Sequence, residues 1–250
     1  MKKITIICEK QMKMDKQLAT FFHGWLMRQL DENFVVELHQ TGTNPYTLFT
    51  KETATTVEFI IALLNQQAAE KISSRLLHSE LHSFNLTSST QKEFKIIEKN
   101  ISELDEKDLA DIFYRPEIIG NTFQIKFLTP TSFKSEGEYT LLPDLRLLLQ
   151  SLMKKYSFAF EGNERVDREL LQELCATTRI ISHRLSSDYY QIHRSFIPAF
   201  KGEIRIRCKG NQTIVNYLAM LLRFAEYSGV GIKTSMGMGA VQTRCERRKK

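Results

Sequence analysis

The spacing of apolar positions along the chain changes period several times, and each change marks an element. Residues 3–8 (KITIIC) read as a strand. From Asp15 to Leu30 the spacing becomes helical, with Leu18, Phe22, Trp25, Leu26 and Gln29 in register and Asp15 placed to cap the helix. An apolar piece, FVVEL, then leads to His39 at the start of a polar segment, Gln40 to Pro45, whose Thr, Gly and Asn content predicts a loop. Residues 46–50 and 55–64 read as strands, 68–77 as a helix and 92–98 as a further strand.

The order then recurs. Residues 121–130 read as a strand ending at Pro130, and 143–156 as a helix with proline in its first turn. After a loop-rich excursion at 157–177, residues 178–194 are extended in character. In 201–210, Ile204, Ile206 and Cys208 alternate with Glu203, Arg205 and Arg207, as a half-buried strand requires. Residues 212–228 form an amphipathic helix and 239–246 a last strand. Two successive β-α-β-β-α-β units predict an α+β fold of two tandem ferredoxin-like (RRM-like) domains, 1–117 and 118–250, with the boundary near Arg115–Asn121. That topology hosts many activities, so function must be argued from the site.

Composition narrows the class. The chain has 250 residues, 42% hydrophobic and 26% charged, as in an ordinary globular protein. No apolar run approaches the roughly 18 residues of a membrane span, and MKKITIICEK is too short in its apolar part for a signal peptide. Cys8, Cys175, Cys208 and Cys245 form no CxxC pair, which argues against a disulfide framework or a thiolate metal site and fits a reducing, cytoplasmic location. The formal charge is +6, but the tail Arg244–Lys250 holds five basic residues and one acid, a net +4, leaving only +2 elsewhere. Affinity for nucleic acid must therefore come from local clustering.

The segment with the most chemical content is Gly229-Val230-Gly231-Ile232-Lys233-Thr234-Ser235-Met236-Gly237-Met238-Gly239. Four glycines in eleven residues permit positive φ and close backbone approach. Exposed N–H groups in such a loop can cradle phosphate oxygens, and Lys233, Thr234 and Ser235 add a charge and two hydroxyls. The loop follows a helix rather than opening one, so it is neither a Walker A nor a dinucleotide motif.

This GxGxKxxxGxG loop, after an amphipathic helix and before the final strand, resembles the loop of the CRISPR repeat-RNA processing endoribonucleases of the RAMP superfamily. FLTPTSFKSEGEYTLLPDLRLLLQSLMKKY is similar to that family's mid-chain segment. FFHGWL and LHQTGTNPYTLFT fall where the family carries its active-site pieces. The resemblance implies an enzyme without metal or cofactor that cuts precursor crRNA within CRISPR repeats. The 2′-OH attacks the adjacent phosphate, giving 2′,3′-cyclic phosphate and 5′-OH ends. It implies repeat RNA as partner, with a transient association with a CRISPR effector complex. The competing reading is a non-catalytic RNA-binding RAMP subunit of such a complex.

That reaction needs a base for the 2′-OH and an acid for the leaving 5′-oxygen, and histidine suits both. By resemblance, His23 on the first helix and His39 in the following segment are the catalytic residues; the sequence does not assign base and acid between them. The family's supporting lysine after the second histidine is absent, and Lys51 is the first lysine beyond His39, so Lys51, Lys233 or an arginine is left to steady the phosphorane. Tyr46 is a contact or a packing residue. The expected RNA-binding set is Gly229, Gly231, Lys233, Thr234, Ser235, Gly237 and Gly239, with Arg205 and Arg207 as a phosphate track. His78 and His82 are four apart, but HSELH lacks the HExxH order and a third ligand, so no metal site is expected. His183 and His193, among arginines, either line an RNA groove or face solvent. If RNA is held through its phosphates, log Kd against log salt should change by about 0.7 per phosphate neutralised; a salt titration of repeat-RNA binding measures it, and a flat response contradicts a phosphate track.

Overall fold

The computed structural model describes residues 1–40, 42–115 and 120–246. The first unit runs β1 (Lys2–Glu9), α1 (Leu18–Gln29), α2 (Glu32–Gln40), β2 (Tyr46–Glu52), β3 (Thr56–Leu63), α3 (Gln66–Leu76), β4 (Ser83–Asn85) and β5 (Glu93–Glu103), followed by α4 (Glu106–Phe113). Its antiparallel sheet has the order β2-β3-β1-β5-β4. Alternation sends Ile4, Ile6 and Cys8 of β1 to one face, where α1, α2 and α3 cover them with Leu18, Phe22, Leu26, Phe34, Leu38 and Ile72. At the centre, Phe22, Trp25, Phe59, Phe84 and Phe94 form an aromatic cluster with neighbouring ring centroids 4.7–5.4 Å apart.

The second unit runs β6 (Thr122–Thr131), a small hairpin of β7 (Lys134–Ser135) and β8 (Glu138–Tyr139), α5 (Leu145–Glu161), α6 (Arg168–Thr177), β9 (Thr178–Ile192), β10 (Ser195–Cys208), α7 (Gln212–Ser228), a 3-10 turn (Thr234–Met236) and β11 (Val241–Glu246). Its sheet order is β11-β6-β10-β9. Taking strands in their turn, this is the same fourth-first-third-second order that β5, β1, β3 and β2 make in the first unit. The inner face, Phe123, Ile125, Phe127, Ile204, Ile206 and Cys208, packs on α5 and α7. The α+β fold of tandem ferredoxin-like units read from the sequence is therefore the observed one. The expected boundary between residues 117 and 118 lies outside the described residues, as do the last four residues of the basic tail.

Several local readings change. Asp15 does not cap α1: Gln17 holds that position without a side-chain cap bond, while the Asp15 carboxylate accepts from Ser89 Oγ, Thr90 N and Thr90 Oγ1 at 2.7–2.8 Å. FVVEL is the body of α2, so His39 lies in a last helical turn rather than at the start of a loop. The excursion at 157–177 is largely helical. There α5 continues to Glu161 and closes on left-handed Gly162, and α6 starts at the Asp167 cap, whose carboxylate accepts from Leu170 N.

The open face of the first sheet rests on α7 of the second unit. Ala62 and Leu64, with Leu104 and Leu109, belong to the same buried cluster as Leu218, Leu222 and Phe224. Lys3 Nζ donates to Glu226 O at 2.9 Å and lies 4.0 Å from the Tyr227 ring centroid, and Thr47 Oγ1 donates to Tyr227 O at 2.7 Å. Buried Asn216 donates to the Phe113 and Arg115 carbonyls, both at 2.9 Å. Truncating the aromatic centre with Phe59→Ala should destabilise the chain by about 3–5 kcal/mol, measured by urea unfolding; a loss below about 1 kcal/mol, the range of an exposed position, contradicts the packing described.

Candidate active site

The 3-10 turn is where both units meet. Thr20 Oγ1 from α1 and Tyr190 Oη from β9 both donate to Met236 O, at 3.1 and 2.7 Å. Behind it, Ser151 Oγ on α5 accepts from Gly231 N at 3.0 Å, and Lys155 Nζ one turn later reaches Thr234 Oγ1 at 3.3 Å. Pro130 O and Ser132 O, in the Pro-Thr-x-Phe segment, accept from Gly239 N and Ile232 N at 3.0 and 3.1 Å. The two segments that carried the resemblance thus bind one another.

The four glycines are explained first by packing. At Gly231 (φ 73) an added Cβ would stand 2.2 Å from Ser132 O, and at Gly237 (φ 104) 2.3 Å from Tyr190 Oη and 2.7 Å from Ala19 Cβ. Gly229 and Gly239 close the base of the loop, where Val230 N donates to Gly239 O at 2.8 Å and a Cβ on Gly239 would stand 2.0 Å from Val230 O. Thr234 and Ser235 are buried, whereas Lys233 is exposed in a left-handed conformation at the head of the turn.

In front of the turn opens a cavity of about 940 Å³, walled by α1, the end of α2, Gly42–Asn44, Phe133–Lys134, α5, the β9–β10 tip and the glycine loop. His23, His39 and His193 line it together with Lys134, Lys154, Lys155 and Lys233, and among the described residues no carboxylate lines it. Lys154 pairs with Glu164 at 2.9 Å. His39 is exposed; its Nδ1–H donates to Val35 O at 2.7 Å, leaving Nε2 as the nitrogen that can exchange a proton. His23 is half-buried. Its Nδ1 shares a 2.6 Å hydrogen bond with Oη of the fully buried Tyr46. Burial pushes the His23 imidazole down to about 4, and the charges of His39, Lys233 and His193 push the same way, while the Ser235 backbone favours the charged ring.

The cavity therefore gathers His23, His39, Lys233, Thr234, Ser235 and Gly231, and leaves out Arg205 and Arg207. Those two lie on the sheet face turned from α5 and α7; Arg205 makes a two-point ion pair with Glu246, and Arg207 Nε reaches Thr122 Oγ1 at 3.4 Å. Lys51 is also outside, 3.9 Å from Glu58. The lysines that do face the cavity come instead from α5, the loop and residue 134. His193 is the third histidine, at the first position of a two-residue hairpin tip with φ 52. The sequence marked it only as a histidine among arginines, near the end of an extended run.

The family model for the CRISPR-associated endoribonuclease Cas6 matches residues 125–241, from β6 to the start of β11. The Cas6 endoribonuclease of Streptococcus thermophilus is 36% identical over 242 residues, covering 97% of this chain and 98% of that protein. The chain belongs to the Cas6 family of CRISPR-associated endoribonucleases. The Cas6 enzyme of Mycobacterium tuberculosis is likewise 36% identical over 233 residues, spanning 91% of this chain and 72% of its own length. A Thermus thermophilus Cas6 product complex shares the fold, with a TM-score of 0.76 at 21% identity over 97% of this chain and 99% of that one. Among the described residues, no helix is long and apolar enough to cross a membrane. Because Gly237 fills a gap shared by α1 and β9, Gly237→Ala should lower the melting temperature of the RNA-free chain by several degrees, the shift that about 1–2 kcal/mol gives at this size. An unchanged melting temperature with weakened RNA binding would instead assign that glycine to the ligand alone.

Proposed function

We propose that this Cas6 family member cuts the repeats of precursor crRNA by 2′-OH attack on the adjacent phosphate, giving 2′,3′-cyclic phosphate and 5′-OH ends, with proton transfer by histidine and no catalytic metal. The observation that carries this reading is the cavity: among the described residues, three histidines and four lysines from both halves of the chain line it, and no carboxylate does. Such a lining attracts a phosphate chain and offers proton carriers beside it. Lys134, Lys154 and Lys233 supply positive charge for the phosphorane.

The two proton transfers divide by charge state. His23 is neutral at pH 7 because its pKa is held near 4, so it takes the base side and accepts the 2′-OH proton; the Ser235 backbone favours the charged ring this creates. His39, with Nδ1–H fixed on Val35 O, presents Nε2 and protonates the departing 5′-oxygen. Lys233, at the head of the turn, and His193, at the hairpin tip, line the cavity beside them and contact the phosphates.

A chemical rescue tests this assignment. In EDTA, His23→Ala and His39→Ala should each slow single-turnover cleavage of a repeat RNA by about 10²–10⁴-fold. Replacing the leaving 5′-oxygen with sulfur, which departs without protonation, should restore His39→Ala and leave His23→Ala slow. Rescue of His23→Ala instead reverses the roles, and an unaffected His23→Ala reduces His23 to a packing partner of Tyr46. Binding without cleavage by the unmodified chain would replace the enzyme with an RNA-binding subunit.

A further inference from the structure

Of the four lysines that line the cavity, Lys155 is the buried one, and the proton transfers give it no part. It lies in the middle of α5 with 7% of its surface exposed, and its ammonium donates to Ser228 O at 3.1 Å, Gly229 O at 3.2 Å and Thr234 Oγ1 at 3.3 Å. Among the described residues, no carboxylate lies within ion-pair distance of it. Burying an ammonium without a counter-charge is strongly unfavourable, and an apolar side chain of the same length would avoid it. What the charge does here is specific. Ser228 O and Gly229 O are at the carbonyl end of α7, where the helix dipole concentrates negative charge. Thr234 Oγ1 opens the 3-10 turn, which sets Lys233 at the cavity and Ser235 against His23. Three ammonium protons meet three acceptors on two elements.

We infer that Lys155 is a positioning residue for cleavage: by joining the end of α7 to the 3-10 turn, it holds Lys233 and the Ser235 backbone in register with His23. This deepens the proposed function and rests on it. Burial and the neighbouring Lys154 push the Lys155 ammonium down to about 7. The charged and titratable groups around it are Lys154, itself paired with Glu164, Lys233 on the loop and His23 on α1. Below that value all three donors are present; above it one is lost, and the turn loosens as pH rises. Stability follows the opposite sign. The unfolded chain binds this proton up to the ordinary lysine range, so folding strengthens as pH rises from about 7 toward 10 through this group.

The full chain is compared with Lys155→Met, Lys155→Arg and Thr234→Val. Four quantities are read: melting temperature, hydrogen exchange of residues 229–239 without RNA, affinity for a repeat oligonucleotide carrying a 2′-deoxy at the cut site, and single-turnover cleavage at saturating protein between about pH 6 and pH 9. Lys155→Met is expected to melt no lower than the unmodified chain, to exchange faster in the loop, and to bind within about threefold. It should cleave about 10²-fold more slowly, the scale of a small misplacement, and fall less steeply above pH 7, keeping only the limb that His39 imposes as the acid. Lys155→Arg should keep most of the rate, and Thr234→Val should change exchange and rate in the same direction as Lys155→Met. Unchanged exchange and rate in Lys155→Met overturns the inference. So does a loss confined to binding, which would make Lys155 an RNA contact. If Lys155→Met does not fold, wild-type behaviour of Thr234→Val overturns it equally. If the unmodified chain cleaves nothing, the proposed function fails, while loop exchange in the variants still decides whether Lys155 holds the turn.

Discussion

Where residue 231 passes Ser132, the place of a Cβ is 2.2 Å from a carbonyl oxygen, and where residue 237 passes Tyr190 it is 2.3 Å from a phenol oxygen. The chain between Gly229 and Gly239 is thus fixed by contact on both sides, and the cavity in front of it takes its shape from that fit. On one side stands α1 of the first unit, on the other α5, β9 and the Pro130–Ser132 segment of the second. Each neighbour supplies a polar group as well as bulk: Thr20, Ser151, Lys155 and Tyr190 all hydrogen-bond the loop. A backbone tied at this many points can hold a cationic side chain such as Lys233 in a left-handed conformation that would otherwise be disfavoured.

The electrostatics follow from the same geometry. Lysines that are far apart in sequence, from residue 134 to residue 233, are brought to one concave surface, while among the described residues the acids stay outside its lining. Glu164 approaches only as the partner of Lys154, and Glu246 and Glu58 are occupied with Arg205 and Lys51 at other places on the surface. A chain with a modest net charge can in this way present a concentrated field over a small area. Burial keeps the His23 ring neutral, and the same field adds to it, so the charge that attracts a phosphate also bears on the protonation of the residue beside it.

Strand order and the major helices were legible because their alternation is strong: Ile4, Ile6, Cys8 and Ile204, Ile206, Cys208 point inward as their spacing requires. The helix α2 was not legible, since its apolar centre, Phe-Val-Val, favours extended structure locally and becomes helical only through packing of Phe34 and Leu38. Helix α6 was hidden by the Gly162–Asn163 break before it, although Asp167 is an ordinary capping residue. At the site, His23 and His39 could be named from resemblance, but the gathering of His193, Lys134 and Lys154 depends on long-range packing. Lys155 had no signal at all, because Lys-Lys in an amphipathic helix reads as a solvated face, and only the glycine loop above it removes the water. The glycines were legible as unusual, yet their spacing cannot distinguish approach to a ligand from approach to Ser132 and Tyr190.

The cluster that takes Ala62, Leu64, Leu104 and Leu109 from the first unit and Leu218, Leu222 and Phe224 from the second is one continuous interior. Two repeats of a common plan have thereby lost their independence. Neither half presents a finished surface to water, so a fragment ending between them would expose the contact layer, and an exchange of halves between distant relatives would have to restore side-chain shape across it.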